Sequence, residues 1–236
     1  MTKSNLERLQ TIVKGLGELK DKVVFVGGAV VQFYTNDSAL ADSRSTEDID
    51  CIVRYTSHHD RYVFEEQLRQ HQFYEDIDDG VICRWTHQGE KVDIMPTDNR
   101  YLSFTNKWYD YGYNQRVVHV LPDDNIIYLM PVTVFVAAKF EALHSRGGND
   151  LRYAHDFEDI IYILNGCNDF LTKCANEENE ELKSYLIEQS NWLISRSNIR
   201  EEIECALPVG EESRSPDLLD LLQQLSDLNS QHTNKD

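Results

Sequence analysis

Asp48, Ile49 and Asp50 open a stretch, Asp48 to Val53, in which acidic and apolar residues alternate. That period of two sends successive side chains of a strand to opposite faces. Carboxylates at i and i+2 then share a face, their Cα atoms roughly 6.5 to 7 Å apart by strand rise, so both can reach one cation. Oxygen ligands of this kind suit magnesium, which binds at about 2.1 Å through one or two carboxylates plus substrate phosphates. Asp93 in the run Lys91 to Met95 is a third candidate, with Val92 and Ile94 turned to the other face. Three carboxylates on neighbouring strands repel unless a cation sits among them. Gly27-Gly28 follows a β-branched run, Lys22 to Val26, and precedes the apolar stretch Ala29 to Tyr34. A turn between strand and helix without β-carbons lets backbone amides approach a phosphate. Each piece alone has a plainer reading, as a chance DxD among 41 acidic residues, a tight turn or a strand-end aspartate. The ordered set suggests a polyphosphate seat beside divalent cations.

The elements that must position these residues are read from periodicity and turn chemistry. Leu6, Leu9, Ile12, Val13, Leu16 and Leu19 recur at spacings of three and four and predict an opening amphipathic helix. Strand, turn and helix follow over 22–34, then a polar loop to Thr46 and the strand at 48–53. A helix is expected over 64–71, a turn at Asp78-Asp79-Gly80, and a hairpin of 81–87 with 90–95 joined through Gln88-Gly89. Strands at 117–120 and 126–129 flank Pro122 to Asn125. Beyond Pro131 the chain reads as helices over 132–143, 156–164, 182–194 and 216–228, with a mobile polar stretch from Gly210. Strands first and helices after predict an α+β fold with a mixed or antiparallel sheet flanked by helices. The expected division is a core over 1–130, a helical portion over 131–228 and a flexible tail over 229–236.

The composition narrows the function. The 236 residues carry 23 Lys plus Arg against 41 Asp plus Glu, a net charge of −18. A protein that grips nucleic acid through a broad basic face usually shows the opposite balance. With 41% hydrophobic and 27% charged residues, disordered, collagenous and membrane classes are excluded. No apolar run reaches the ~18 residues a bilayer span needs, and the start MTKSNLERLQ lacks the pattern of a signal peptide, so a cytoplasmic location is expected. Five cysteines without a CxxC pair argue for reduced structural thiols.

FVGGAVVQFY, RSTEDIDCIV and KVDIM resemble the hG[GS], Dh[DE]h and h[DE]h pattern of the nucleotidyltransferase fold superfamily, the polymerase-beta-like enzymes. VAAKFEALHSRGGNDLRYAHDFEDIIYIL is similar to the K-x-x-A-x-x-x-R segment and D-x-x-D helix of AbiEii-like nucleotidyltransferases of abortive-infection and toxin-antitoxin systems. The likeness spans roughly residues 20 to 165. It implies a nucleotidyltransferase-type sheet and transfer of a nucleoside monophosphate from an NTP, with two Mg2+ ions, to a hydroxyl on RNA, protein or a small molecule. It further implies that Gly27 and Gly28 contact the nucleotide phosphates and that Asp48 and Asp50 bind magnesium. Asp93 would complete the metal site and help activate the attacking hydroxyl. Lys139 would meet the triphosphate, Arg146 or Asp156 would shape the pocket, and Arg44 fits the pattern just before the DxD strand. Gly147 to His155 make the link between Arg146 and Asp156 longer than in that family, leaving the parts of Asp156 and Asp159 open.

Other features carry less. The eight histidines lack metal-binding spacing and read as surface residues. Trp108 to Tyr113 could stack a base or pack as a loop, and Asn176 to Glu181 reads as a solvated loop or helix start. Two rival functions stand beside the transferase. One is a catalytically silent module of the same fold that binds a basic partner protein, as an antitoxin-like domain would. The other is a small-molecule adenylyltransferase whose acidic cleft attracts a polycationic drug.

Overall fold

The computed structural model describes residues 3–37, 40–77, 80–102, 106–146 and 149–228. The expected tail at 229–236 and Asp78 and Asp79 of the expected turn lie outside them. The chain forms two compact units. One runs to Val30 and resumes over Arg44–Pro131; the other takes the described residues of Val31–Ser43 and those from Val132 onward.

The first unit is built on a mixed sheet. Helix α1 (Asn5–Leu16) opens with a reciprocal cap in which the Ser4 hydroxyl accepts the Glu7 amide and the Glu7 carboxylate accepts the Ser4 amide. Leu9, Ile12, Val13 and Leu16 form its buried stripe. The strands are β1 (Val23–Val26), β2 (Asp48–Val53), β3 (Tyr74–Glu75), β4 (Arg84–His87), β5 (Glu90–Pro96), β6 (Val117–Val120) and β7 (Ile126–Leu129). Their order is β3-β4-β5-β2-β1-β7-β6, parallel at β2–β5 and β1–β7 and antiparallel elsewhere. The β4–β5 hairpin turns through Gln88 (φ 51°) and Gly89 (φ 82°), the two left-handed residues of a tight hairpin.

Helices α2 (His58–Gln70) and α3 (Tyr109–Asn114) complete this unit. The expected helix at 64–71 starts earlier because Ser57 caps the Asp60 amide, a signal that the polar first turn hides from hydrophobic periodicity. Gly28–Tyr34, expected as a helix, is a 3-10 helix.

The second unit is helical: α4 (Val132–Arg146), α5 (His155–Gly166), α6 (Phe170–Ala175), α7 (Glu180–Ile194), α8 (Ile199–Ala206) and α9 (Ser215–Ser226). Every residue of α4 from Val132 to Phe140 is buried, as in a helix packed on all sides. Asn179 caps α7 by accepting the Glu181 and Leu182 amides, and Pro216 lies in the first turn of α9. The described residues of Val31–Ser43 are tied to this unit at three points. Asn36 N–H donates to the Gly166 carbonyl (2.9 Å), Tyr162 Oη to the Ala41 carbonyl (2.9 Å), and Arg214 pairs with Asp37 (2.9 Å). The stretch from Gly210, expected to be mobile, is therefore anchored through Arg214 and through Glu211, which accepts from Asn165. Among the described residues no helix is long and apolar enough to cross a membrane.

Candidate functional site

The register of the first unit brings the three aspartates to one face of the sheet. Asp48 and Asp50 alternate with the fully buried Ile49 and Cys51 on β2, and Asp50 is the direct cross-strand partner of Asp93 on β5. Neighbouring strands lie about 4.8 Å apart, so these two side chains start side by side. Val26, the last residue of β1, is the partner of Asp50 on the other side, which delivers Gly27 to the carboxylate. Gly27 has φ +74°, and a Cβ built there would stand 1.9 Å from Asp50 Oδ2. At Gly28 a Cβ would meet the Arg44 guanidinium and the Thr46 methyl group, both at 2.6 Å. The two glycines thus let a carboxylate and a guanidinium close onto bare backbone.

Two elements fix this arrangement. Asn5 at the start of α1 is buried; its amide donates to the Arg44 carbonyl (2.8 Å) while its oxygen accepts the Thr46 amide (3.0 Å). Arg8 donates to the Thr46 carbonyl, so α1 pins the approach to β2 and with it Arg44. Further along the same face α3 packs near β2, and Tyr109 Oη lies 3.9 Å from Met95 Sδ.

Arg84 on β4 was not among the expected site residues. It is the cross-strand partner of Asp93 and grips it with both arms, Nε to Oδ1 at 2.7 Å and Nη2 to Oδ2 at 2.8 Å. The same Nη2 donates to Asp48 Oδ2 at 2.6 Å. The side chains of Arg84 and Asp93 are 12% and 11% exposed and that of Asp48 30%. Burial, then the charge of Asp93, push the Asp48 carboxyl above its ordinary range against the opposing pull of Arg84. The guanidinium therefore only partly offsets the crowded negative charge. Burial also raises the thiols of Cys51 and Cys83, the latter to about 12, so neither is a nucleophile at neutral pH.

Carboxylates on one face suit a hard divalent cation by their chemistry. As the side chains stand, no group of three or more His, Cys, Asp or Glu among the described residues is arranged to ligate a metal. Arg84 lies between Asp48 and Asp93, where such a cation would be held.

The remaining candidates belong to the second unit. Lys139 on α4, expected to meet the triphosphate, is buried and paired with Asp156 (3.1 Å) and Asp159 (2.6 Å) of α5. Arg146 holds the other side of Asp156 at 2.9 Å. Asp156 and Asp159 thus both pair with Lys139.

Several plainer readings also resolve. His87 departs from the expectation of surface histidines, being buried, stacked on Phe73 and set against Gly15. Cys51, Cys83, Cys167 and Cys174 are free and buried, while Cys205 is free and exposed. The aromatic run folds into α3 with Trp108 buried and Tyr113 held by its hydroxyl on the Lys22 carbonyl, so it packs rather than offering an open stacking platform. A cavity of about 190 Å³ opens among Tyr55, Cys83, Trp85 and Ile94, whose strand residues alternate with Arg84 and Asp93 and face the other side of the sheet. In comparison with known proteins, no family model matches the chain and no curated sequence matches it.

Proposed function

We propose that this protein is a magnesium-dependent nucleotidyltransferase, built on a nucleotidyltransferase-type sheet, that moves a nucleoside monophosphate from an NTP to a hydroxyl acceptor. The observation that supports the reading is the register Val26–Asp50–Asp93, which sets the Gly27-Gly28 turn, the DxD pair and the third aspartate on adjoining strands. Asp48, Asp50 and Asp93 would hold Mg2+. Divalent cations at such a site lower the pKa of an acceptor hydroxyl and offset charge on the α-phosphate and the leaving pyrophosphate. Gly27 and Gly28 would meet the phosphates through backbone onto which Asp50 and Arg44 now close, so those side chains would have to draw back, and the Arg44 guanidinium would supply positive charge beside them. Asp93 would orient the acceptor hydroxyl and favour loss of its proton. Lys139 could meet a phosphate only on release from Asp156 and Asp159, so the proposal does not lean on it. The net charge of −18 favours a protein or cationic small-molecule acceptor over RNA. A role in toxin-antitoxin or phage-defence chemistry is compatible with either.

The test is transfer from each of four α-32P-labelled NTPs with Mg2+ to RNA, to protein or to a polycationic small molecule. Label should pass to one acceptor class and be lost in Asp50→Asn and Asp93→Asn; transfer unchanged in both variants overturns the proposal.

One observation favours the silent, partner-binding module instead: Arg84 closes onto Asp48 and Asp93. Calorimetric titration separates the two readings. Nucleotide binding with Mg2+ supports the enzyme, and no binding at millimolar nucleotide supports the module.

A further inference from the structure

Among the described residues, the strand order leaves the sheet of the first unit two edges, β3 and β6. β3 is two residues long and contains Glu75, the short and charged form in which an edge resists further pairing. β6 has four residues, Val117, Val118, His119 and Val120, with neither Lys, Asp, Glu nor Pro among them. Its outward backbone groups follow from the hairpin. Leu121 N–H donates to the Asn125 carbonyl (2.8 Å), which makes these two a hydrogen-bonded pair at the closed end of β6 and β7. Antiparallel pairs alternate, so Val117 and His119 turn their amides and carbonyls to β7, whereas Val118 and Val120 turn theirs to the open edge. Val118 and Val120 are each more than half exposed, and the exposed Ile126, across from Val120, extends the apolar strip.

The charges at the two ends of β6 choose what pairs with it. Arg116 precedes the strand, its guanidinium over the rings of Tyr113 and Tyr128, and the exposed Asp124 follows it in the turn to β7. A second β6 laid antiparallel brings Arg116 of each copy toward Asp124 of the other, whereas a parallel one sets like charges together. We propose that β6 is an interface for a second copy of this chain, joining two sheets edge to edge about a two-fold axis at His119. Val118 then pairs with Val120 of the second copy, and each exchanges backbone hydrogen bonds with the other. His119 stands opposite its own copy; burial holds its pKa below the ordinary value, so the two imidazoles meet neutral at pH 7. The net charge of −18 on each copy opposes approach at long range, but the strip of Val118, Val120 and Ile126 meets where the local charges balance. The inference is independent of the transferase reading, since β7 and β1 separate β6 from the aspartates of β2.

The experiment is sedimentation equilibrium of the full chain from about 1 to 200 μM, where a small interface associates. Wild type should rise from 27.4 kDa toward twice that mass. Val118→Lys, at an exposed position, should weaken association at least about tenfold, because the two-fold brings both lysines to the apolar strip. Asp124→Lys should weaken it by setting a cation against Arg116 of the other copy, and adding Arg116→Glu should restore it. Cys205→Ser removes the exposed thiol, and in that background His119→Cys should form a disulfide-linked dimer on oxidation. A non-hydrogen-bonded antiparallel pair holds its Cα atoms about 4.5 Å apart, within reach of a disulfide. A mass fixed at 27.4 kDa throughout the range overturns the proposal and leaves β6 to a strand from a different protein. Dimers that persist in Val118→Lys and give no crosslink through His119→Cys overturn it as well, the copies then meeting elsewhere. Circular dichroism checks the fold of each variant; should His119→Cys fail to fold, Val118→Lys decides, and association equal to wild type overturns the proposal.

Discussion

The Asp50 carboxylate lies directly on Gly27, so close that a methyl group there would stand 1.9 Å from its Oδ2. The backbone of Gly27 also has φ +74°, a conformation other residues resist.

Gly27→Ala therefore incurs both strain and displacement of Asp50. A loss of about 1 to 3 kcal/mol in stability is expected from the backbone alone. Gly89 provides the contrast, since it has φ +82° with nothing near a Cβ. Gly89→Ala should cost about 1 kcal/mol and leave Mn2+ and nucleotide binding as in wild type, whereas Gly27→Ala should lose both. Urea unfolding and Mn2+ titration of the two variants read the difference.

The fork of Arg84 falls unequally on its partners. Asp93→Asn removes the enclosed, doubly bonded partner and should cost about 3 kcal/mol. Asp48→Asn removes a single contact to a carboxylate that is 30% exposed and should cost about 1 kcal/mol or less. Equal losses in urea unfolding would show that Arg84 does not discriminate between them.

Lys139 pairs at 2.6 Å with Asp159, which is almost wholly buried. Lys139→Met should destabilise by about 3 to 5 kcal/mol by breaking this buried pair. Lys139→Met combined with Asp159→Asn should recover part of the loss, and a double-mutant cycle in urea measures the coupling.

Acid should act on the second unit through Glu202. The Arg196 guanidinium, bonded to it at 2.5 and 2.7 Å, holds its carboxyl below the ordinary value of 4.5. A depressed carboxyl pKa contributes stability that is fully present above the unfolded value and lost as pH falls through the folded one. Urea midpoints should therefore drop below pH 4.5, and Glu202→Gln, itself costing about 2 kcal/mol, should flatten that limb.

What the sequence disclosed followed the strength of its local signals. The strands at 48–53 and 90–96, the turn at Gln88-Gly89 and the long apolar helix from Val132 are set by period, turn chemistry and a first-turn proline. The alternation on β2 also foretold that Asp48 and Asp50 share a face. Asn5 escaped notice because its partner Arg44 lies 39 positions away, whereas Arg84 could have been found: the expected turn at Gln88-Gly89 already sets it opposite Asp93, and only its contact to Asp48, 36 positions away, depends on a strand order no local pattern encodes. The short helices α6 and α8 went unseen for another reason: six and eight residues hold too few turns to display a stripe. The pairing of Lys139 went unread because its aspartates lie on the next helix.

The excursion of Val31–Ser43 bears on how the chain is made. Ala41 finds Tyr162 only after 121 further positions, and Asp37 finds Arg214 only after 177. During synthesis the segment emerges early and must wait, its apolar Val31 without a home, while the ribosome completes the helices that will receive it. Cutting the gene after Pro131 would strand the segment permanently, so isolating the sheet unit calls for splicing Val30 to Arg44 with a short linker rather than for a simple truncation.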